Sequence, residues 1–251
     1  GGASGAGGAS GAGGAGGSGG AGGSSGAGGG SGGAGGGSGG VPSGCGANPT
    51  ATLLLHTTLD NAGSIITPAF IKSGGTGHAS GTYVSGICGN ALVVDQSGDC
   101  AKYGADQNIN PKLGTIDFFV RPNFEKDDGK AHRLFALTGT YMQLTKTAAP
   151  ENSLTFGVAG TPVVSVSSAN LTFVKGTWTR VTLTWSENSG QLTGTVYLDG
   201  VQTAQKTAAF PSASPPNPMY LYVGNLACNS ADHGMADFDD FKIYEKVVPP
   251  S

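Results

Sequence analysis

Charged residues are scarce in this chain and unevenly placed. Asp, Glu, Lys and Arg make up 12% of the 251 residues, none of them occurs before Asp60, and the formal net charge is −3. A nucleic-acid-binding protein normally carries a basic surface, so this balance gives no indication of a nucleic-acid partner. No apolar run approaches the roughly 18 residues that a membrane-spanning helix needs, so no membrane span is predicted.

Cysteine and histidine are also few, and neither is arranged for metal binding. The four His residues are scattered and no CxxC pair occurs, so a zinc site is not expected. An even number of cysteines in a domain rich in Gly, Thr and Ser is typical of disulfides, which predicts an extracellular or cell-surface protein. Of the three possible pairings we favour Cys88–Cys100, which closes a short loop, and Cys45–Cys228, which ties the start of the domain to the loop before its last strand.

Proline, charge and every large side chain are missing from residues 1–40, which contain only Gly, Ala and Ser. Glycine recurs at every third position over residues 1–36, a period that matches an extended left-handed helix with three residues per turn. The glycines that keep this phase are Gly2, Gly5, Gly8, Gly11, Gly14, Gly17, Gly20, Gly23, Gly26, Gly29, Gly32 and Gly35.

Two interpretations of this Gly-rich arm (residues 1–44) remain open. One is a flexible linker, because Gly/Ser-rich chains behave as random coils. The other is a packed element: ordering costs about 1–2 kcal/mol per residue, whereas a hydrogen bond returns about 1 kcal/mol, so a single arm cannot order itself. We predict that residues 1–36 order only between chains, through self-association. A collagen triple helix is less favoured because proline is absent.

The rest of the chain reads as short strands. Between Gly176 and Gly200 we predict a central hairpin: apolar Val181, Leu183 and Trp185 alternate with polar residues, a polar loop over 186–190 follows, and Asp199-Gly200 supplies a tight-turn pair. Similar short patterns recur with turn signals every 8 to 12 residues and no helical period. This arrangement is typical of a β-sandwich or barrel.

Four motifs resemble the laminin-G-like, concanavalin-A-like jelly roll. They are GICGNALVVDQSGDCAKY from Gly86, GTIDFFVRP from Gly114, GTWTRVTLTW with YLDG between Gly176 and Gly200, and MADFDDFKIYEK from Met235. Their order and approximate spacing match that family. The resemblance implies an all-β fold over residues 45–251, a two-sheet antiparallel jelly-roll sandwich. That superfamily includes glycan-binding modules, adhesins, glycosidases and structural units, so the fold leaves function open.

The acidic residues do not predict an enzyme. Related glycosidases carry paired glutamates that flank the scissile bond. The glutamates of this chain lie in predicted loops or at an end: Glu125, Glu151, Glu187 and Glu245. Asp237, Asp239 and Asp240 share one strand, but alternation places Asp240 on the other face. We therefore predict no catalytic residues.

These carboxylates are better explained as ligands of a structural calcium site. Asp239 shares its predicted face with Phe241 and Ile243, so it should point inward, and a buried carboxylate needs a cation or hydrogen-bond donors. The resemblance pairs this aspartate with the turn after the first strand, here Asp60 and Asn61, which implies a Ca²⁺ site at Asp60, Asn61 and Asp239. The alternative is that Asp239 accepts hydrogen bonds from loop amides.

Glycan binding requires exposed aromatic side chains beside polar groups. Tyr220 and Tyr222 lie on the strand face opposite Leu221, which makes them candidate ligand-binding residues, although such tyrosines also occur simply as solvent-facing strand residues. Trp178 and Trp185 are expected in the core.

These patterns favour a non-catalytic extracellular protein with a structural or adhesive role. The arm would mediate assembly into a fibre or surface layer, and the β-sandwich would be displayed outward. The alternative is a monomeric carbohydrate-binding module on a flexible linker. A glycosidase-like enzyme is the third choice.

Overall fold

The structure is a computed structural model that describes residues 45–46, 51–73 and 76–250. The Gly-rich arm and all of its phase-keeping glycines lie outside the described residues, so its packing and self-association remain predictions. Within the described residues, no helix is both long enough and apolar enough to cross a membrane.

Two antiparallel sheets form a sandwich, which confirms the predicted all-β jelly roll. The strands are β1 (Leu53–Thr57), β2 (Phe70–Ile71), β3 (His78–Ser80), β4 (Thr82–Ser85), β5 (Asn90–Val94), β6 (Cys100–Gly104), β7 (Leu113–Pro122), β8 (His132–Leu137), β9 (Met142–Lys146), β10 (Leu154–Val158), β11 (Thr161–Val166), β12 (Thr179–Asn188), β13 (Gln191–Leu198), β14 (Val201–Ala209), β15 (Tyr220–Val223) and β16 (Ala236–Tyr244). The nine-stranded sheet has the order β14-β13-β12-β7-β16-β1-β2, with β5 paired to β16 and β4 to β5; the seven-stranded sheet has the order β11-β10-β9-β8-β15-β6-β3.

The predicted central hairpin is present as β12 and β13. Its turn residues Ser189 and Gly190 both have positive φ, 53° and 77°, and so do Asp199 and Gly200, 49° and 81°, at the next turn. Left-handed dihedrals at both central positions are what a two-residue type I′ turn requires. The first loop is shorter than the pattern suggested, because β12 continues to Asn188.

The core lies between the sheets and contains the predicted inward side chains, including Trp185, which is 1% exposed and donates its Nε1–H to the Asn110 carbonyl at 2.9 Å. The prediction that Trp178 is also in the core was wrong. Trp178 lies two residues before Arg180, so side-chain alternation places both on the outer side of the sheet. Trp178 is half-buried there, with the Arg121 guanidinium carbon 4.9 Å from its ring centre.

The segment after β1 forms a short helix, and strand β2 follows it at Phe70–Ile71. Helix α1 (Ala62–Ile66) begins with a reciprocal cap: the Asn61 side chain accepts from the Ser64 amide at 3.0 Å, and the Ser64 hydroxyl accepts from the Asn61 amide at 3.1 Å. This local capping box outweighs the β-branched character of the isoleucines. A 3₁₀ turn (Thr138–Thr140) follows β8.

Strand β16 contains a bulge at Asp240. Asp239 pairs with Phe119 of β7, but the next pair joins Lys242 to Asp117, so one extra residue is inserted, and Asp240 has a positive φ of 51°. Before the bulge β16 also pairs with β5, and after it with β1. The bulge therefore marks where β16 changes partner strands.

The bulge overturns two predictions about faces. Asp239 does not share a face with Phe241 and Ile243: those two lie in the core, whereas Asp239 lies on the outer face with Asp237. Asp240 is not separated from Asp239 and Asp237 either, because the extra residue resets the alternation and leaves all three on the outer side of the sheet.

All four cysteines form disulfides, as predicted, but the predicted pairing was wrong. The bonds are Cys45–Cys88 and Cys100–Cys228, with Cα–Cα distances of 5.6 and 5.3 Å. Strand β5 runs between Cys88 and Cys100 at about 3.3 Å per residue. It holds them farther apart than the ~7 Å that a disulfide tolerates.

A side-chain amide positions the second disulfide. Asn225 donates its Nδ2–H groups to the carbonyls of Ser97 and Asp99, both at 2.9 Å. These bonds fix the loop before β16 over the start of β6, which brings Cys228 to Cys100.

Peptide mapping without reduction tests this connectivity. We expect linked peptides joining Cys45 to Cys88 and Cys100 to Cys228, whereas a Cys88–Cys100 peptide would contradict the fold. Replacing Cys100 and Cys228 by Ser should lower the free energy of unfolding by about 5 kcal/mol, and replacing Cys45 and Cys88 by about 4 kcal/mol. The first pair should cost more because it closes the longer loop, with a sequence separation of 128 against 43.

Candidate functional site

The loop between β4 and β5 is held by hydrogen bonds to Asp239. This carboxylate is fully buried, and its Oδ2 accepts hydrogen bonds from the amides of Ile87 and Cys88, both at 2.7 Å. Its Oδ1 is buried without a hydrogen-bond partner among the described residues. The loop amides therefore account for one carboxylate oxygen and leave the other uncompensated.

Asp60 reaches the same loop from the end of β1. Its Oδ1 accepts from the Asn90 amide at 2.7 Å, and a Cβ atom at Gly89 would lie 2.2 Å from that oxygen. Asn61 does not join these carboxylates, because its side chain caps α1. Of the three predicted calcium ligands, the structure thus brings Asp60 and Asp239 to one loop and gives Asn61 another role.

The electrostatics of Asp239 are those of a carboxylate that lacks a positive partner. Burial raises its pKa to about 6; the Cys88 and Ile87 amides oppose this shift, and the charges of Asp240 and Asp60 add to it. Ca²⁺ is bound by carboxylate and carbonyl oxygens. The free Oδ1 of Asp239 and the Asp60 carboxylate are therefore suitable donors, and a bound cation would compensate both.

The variant Asp239→Asn tests this site. Because the pKa of Asp239 in the folded state lies above the ordinary 3.8, ionisation of this carboxyl destabilises the fold. The destabilisation is complete above about pH 6, where the carboxyl is ionised, and absent well below pH 4, where it is protonated. The amide side chain keeps an acceptor for both loop N–H groups and carries no charge. In chelator near pH 7 it should therefore raise the free energy of unfolding by up to about 3 kcal/mol.

We propose that Ca²⁺ binds at Asp239 and Asp60. Added Ca²⁺ should then stabilise the parent protein, and this variant should lose that stabilisation, measured as the shift in melting temperature between chelator and millimolar Ca²⁺. Asp237→Asn is the matched control: Asp237 lies on the same face of β16 but pairs with Arg121 at 2.6 Å. The control should keep the Ca²⁺ response. An equal Ca²⁺ shift in the parent and in Asp239→Asn would contradict the site.

Asp240 is fully compensated. Its Oδ1 lies 2.6 Å from His56 Nε2, and its Oδ2 accepts from Lys242 Nζ and the Gly46 amide, both at 2.9 Å. Burial alone would raise the pKa of Asp240, but the His56 hydrogen bond and the Lys242 ammonium outweigh it and lower the pKa. This aspartate holds structure together rather than binding a ligand.

An ion-pair row continues from Asp240 across the nine-stranded sheet. Lys242 Nζ lies 3.2 Å from Asp117 Oδ2, and Arg180 binds both oxygens of Asp117 through Nε and Nη2 at 2.9 and 3.1 Å. The Thr182 hydroxyl donates to the same carboxylate at 2.7 Å. These bonds satisfy the charges of Asp117, Arg180 and Lys242 internally, so this part of the outer face offers little to a ligand.

The outer face of the seven-stranded sheet carries the predicted tyrosines. Tyr220 is half-buried, and Lys102 Nζ lies 4.0 Å from its ring centre; Tyr222 is 8% exposed and 5.9 Å from the same ammonium. Tyr220 borders a cleft of about 300 Å³, here called the tyrosine cleft, and Tyr222 does not. The cleft is lined by Thr76, Gly77, His78, Lys102, Tyr103, Gly104 and Tyr220.

Sequence comparison identifies the family. The sequence profile of the concanavalin A-like lectin/glucanases superfamily matches residues 95–251. The chain belongs to that superfamily. No match was found among curated protein sequences.

Solved structures of other members of this fold are similar over most of the chain. Domain 4 of AbnA, a GH43 extracellular arabinanase from Geobacillus stearothermophilus solved with arabinotriose, is 18% identical, with 80% of this chain and 95% of that chain covered and a TM-score of 0.52. The receptor-binding domain of botulinum neurotoxin mosaic serotype C/D is 13% identical, with 78% and 48% covered and a TM-score of 0.52.

Trypanosoma rangeli sialidase in complex with sialic acid is 14% identical, with a TM-score of 0.50; 81% of this chain and 32% of that chain are covered. The chain thus spans about a third of the sialidase and about half of the toxin domain. At these identities the similarity shows a shared fold.

This superfamily member has further clefts that the sequence did not indicate. One of about 470 Å³ is bordered by His132, which stacks on Phe124 with ring centres 3.8 Å apart. Beside it, Asp128 binds His132 at 2.7 Å and the buried Lys146 at 2.5 Å. Burial would raise the pKa of Asp128, but these partners lower it to about 2. No motif marks this cluster, because its members come from a loop and two strands.

Another cleft, of about 290 Å³, lies on the outer face of the seven-stranded sheet, on β8 to β11. It is here called the threonine cleft and is lined by Ala131, Arg133, Gln143, Thr145, Thr147, Ala148, Thr155, Gly157, Gly160, Thr161 and Pro162. In the sequence Arg133 is a single charge among apolar residues of β8, a pattern that gives no hint of a site.

Proposed function

We propose that this protein is a non-catalytic, extracellular glycan-binding domain with an adhesive role. The observation that carries this proposal is the tyrosine cleft, where the half-buried Tyr220 ring lies beside the polar groups of Lys102, His78 and Thr76. Small-ligand sites commonly combine an aromatic surface with a few placed polar groups. Two disulfides support an oxidising, extracellular location.

Fold-level similarity supports a saccharide as the ligand class. The AbnA domain was solved with arabinotriose. Because folds of this kind host several functions, this support is by analogy, and the cleft itself carries the argument.

The state of the carboxylates supports a binding rather than a hydrolytic role. A glycosidase needs two carboxylates at an open cleft, one of them able to donate a proton near neutral pH. Asp128 is held ionised by Lys146 and His132, and Asp239, whose pKa is raised, is buried beneath the β4–β5 loop. Glu187 accepts from the Gly190 amide at its own hairpin turn.

Binding to soluble arabinan, galactan and xylan, measured by affinity electrophoresis and calorimetry, tests the proposal. Tyr220→Ala should weaken binding about tenfold or more, the effect of losing an aromatic anchor, whereas Tyr220→Phe should retain most of it. Tyr197→Ala is the matched control, because Tyr197 is a half-buried tyrosine of the nine-stranded sheet. Parent protein that binds no glycan, or a Tyr220→Ala variant that binds as the parent does, would refute this site.

Assembly through the Gly-rich arm is a second proposed function. It is favoured by the way the first described residues are anchored. Cys45 is bonded to Cys88, and Gly46 donates its N–H to Asp240 at 2.9 Å and accepts from Lys242 Nζ at 3.2 Å. Tension applied through the preceding residues would therefore pass into a disulfide and β16, which suits a domain displayed from an assembly.

Replacing Gly14, Gly17 and Gly20 by Val tests the assembly proposal. If arms pack through a bare glycine edge, branched side chains should abolish assembly in sedimentation velocity and electron microscopy. Inserting one Gly after Gly17 keeps the composition but breaks the three-residue phase. It should weaken assembly less than the Val substitutions do, because it only shifts one half of the arm by a third of a turn. Parent protein that stays monomeric at high concentration would contradict assembly and leave a monomeric carbohydrate-binding module.

A further inference from the structure

The three arginines of the chain differ in how their charges are compensated. Arg180 binds Asp117 in a bidentate pair through Nε and Nη2, at 2.9 and 3.1 Å. Arg121 binds Asp237 through Nε at 2.6 Å. Arg133 has no such partner: its nearest carboxylate in the described structure is Asp232, with Oδ2 3.7 Å from Nη2.

The Arg133 guanidinium is held in place along one edge only. Nη1 donates to Thr145 Oγ1 at 2.7 Å and to Gln143 Oε1, which are neutral acceptors. The Nε–H is buried without a partner among the described residues. Arg133 therefore lacks the close bidentate carboxylate that Arg180 binds through Nε and Nη2, and only Asp232 faces its Nη2, at 3.7 Å.

The surroundings do not supply the missing negative charge. The Arg133 side chain is 10% exposed, whereas Asp232 is 56% exposed and therefore largely solvated. Burial lowers the pKa of Arg133, and Asp232 opposes that shift. A desolvated guanidinium whose one carboxylate partner is 3.7 Å away and largely solvated is costly for the fold, because buried charges are normally closely paired.

The threonine cleft beside Arg133 has the lining of a polar ligand site. Four hydroxyls, each able to donate and accept, border it together with Gly157 and Gly160, and none of its described lining residues is acidic. The hydroxyl groups are those of Thr145, Thr147, Thr155 and Thr161.

We propose that the threonine cleft is a second ligand site, separate from the tyrosine cleft, which binds the carboxylate or sulfate group of an acidic saccharide through the Arg133 guanidinium. The planar guanidinium matches these oxyanions in a bidentate arrangement. Gln143 and Thr145 fix the plane of the guanidinium, and the threonine hydroxyls face the sugar hydroxyls. This site goes beyond the glycan site at Tyr220 and does not depend on it.

Calorimetry on the full chain at low salt tests this site with two matched pairs of polymers. The first pair is polygalacturonate and its fully methyl-esterified form, which differ in free carboxylates; the second is dextran sulfate and dextran. We expect the parent to bind at least one anionic polymer and not its neutral counterpart. The two arms identify carboxylate or sulfate as the preferred group. Failure to bind either anionic polymer would overturn the proposal.

Substitutions locate the binding. Arg133→Gln should weaken binding of the anionic polymer about ten- to hundredfold, the range for losing hydrogen bonds to a charged group. Arg121→Gln removes the same charge from the other sheet and should leave binding unchanged, with melting temperatures measured for both variants. Equal losses of polymer binding in the two variants would show that the polymer is attracted non-specifically by positive charge, which would refute the site.

Asp232→Asn provides a test that does not depend on the folding of an Arg133 variant. If Asp232 competes weakly with a ligand for the Arg133 guanidinium, its neutralisation should strengthen anion binding several-fold. If Asp232 is instead simply the partner of Arg133, the variant should melt lower and bind no better, which would refute the proposal. Tyr220→Ala should leave this binding intact, so the two glycan sites stand or fall separately.

Discussion

Two adjacent carboxylates at the bulge of β16 determine how this domain is put together. The inserted residue places Asp239 and Asp240 on the outer side of the nine-stranded sheet, where both are buried. A buried carboxylate must be compensated, and each recruits different parts of the chain. Asp240 fixes Gly46, next to the first disulfide, through its hydrogen bond and its pairing with Lys242. Asp239 holds the β4–β5 loop, and its unpaired oxygen is the reason to propose calcium there.

The outer faces of the two sheets therefore have different roles. On the nine-stranded sheet, ion pairs run from His56 through Asp240, Lys242 and Asp117 to Arg180, so side chains that could recognise a ligand already have partners. The outer face of the seven-stranded sheet has the opposite character. It carries a half-buried aromatic ring in one cleft and an incompletely compensated guanidinium in another, which is why both proposed glycan sites lie there.

The sequence predicted features that depend on local pattern. Alternation and the Asp199-Gly200 pair predicted the central hairpin, because side-chain period and turn chemistry are properties of neighbouring residues. The predictions from sequence failed where the geometry depends on residues that are far apart in the chain. The alternation argument for Asp239 assumed a regular strand, and a single left-handed residue at Asp240 reversed it. The pairing of Cys88 with Cys100 considered loop length and ignored the strand between them. Arg133 could not be singled out, because the weak compensation of its charge is visible only in three dimensions.

The central proposal is that glycans bind the outer face of the seven-stranded sheet while the outer face of the nine-stranded sheet maintains the fold. Amide chemical-shift mapping of isotopically labelled protein, titrated with arabinan oligosaccharides and with oligogalacturonate, tests it most directly. We predict that the shifted amides cluster on β3, β6 and β15 for the first ligand and on β8 to β11 for the second, with β7, β12 and β16 unchanged. Shifts concentrated on β7, β12 and β16, with those of the seven-stranded sheet unchanged, would contradict the account.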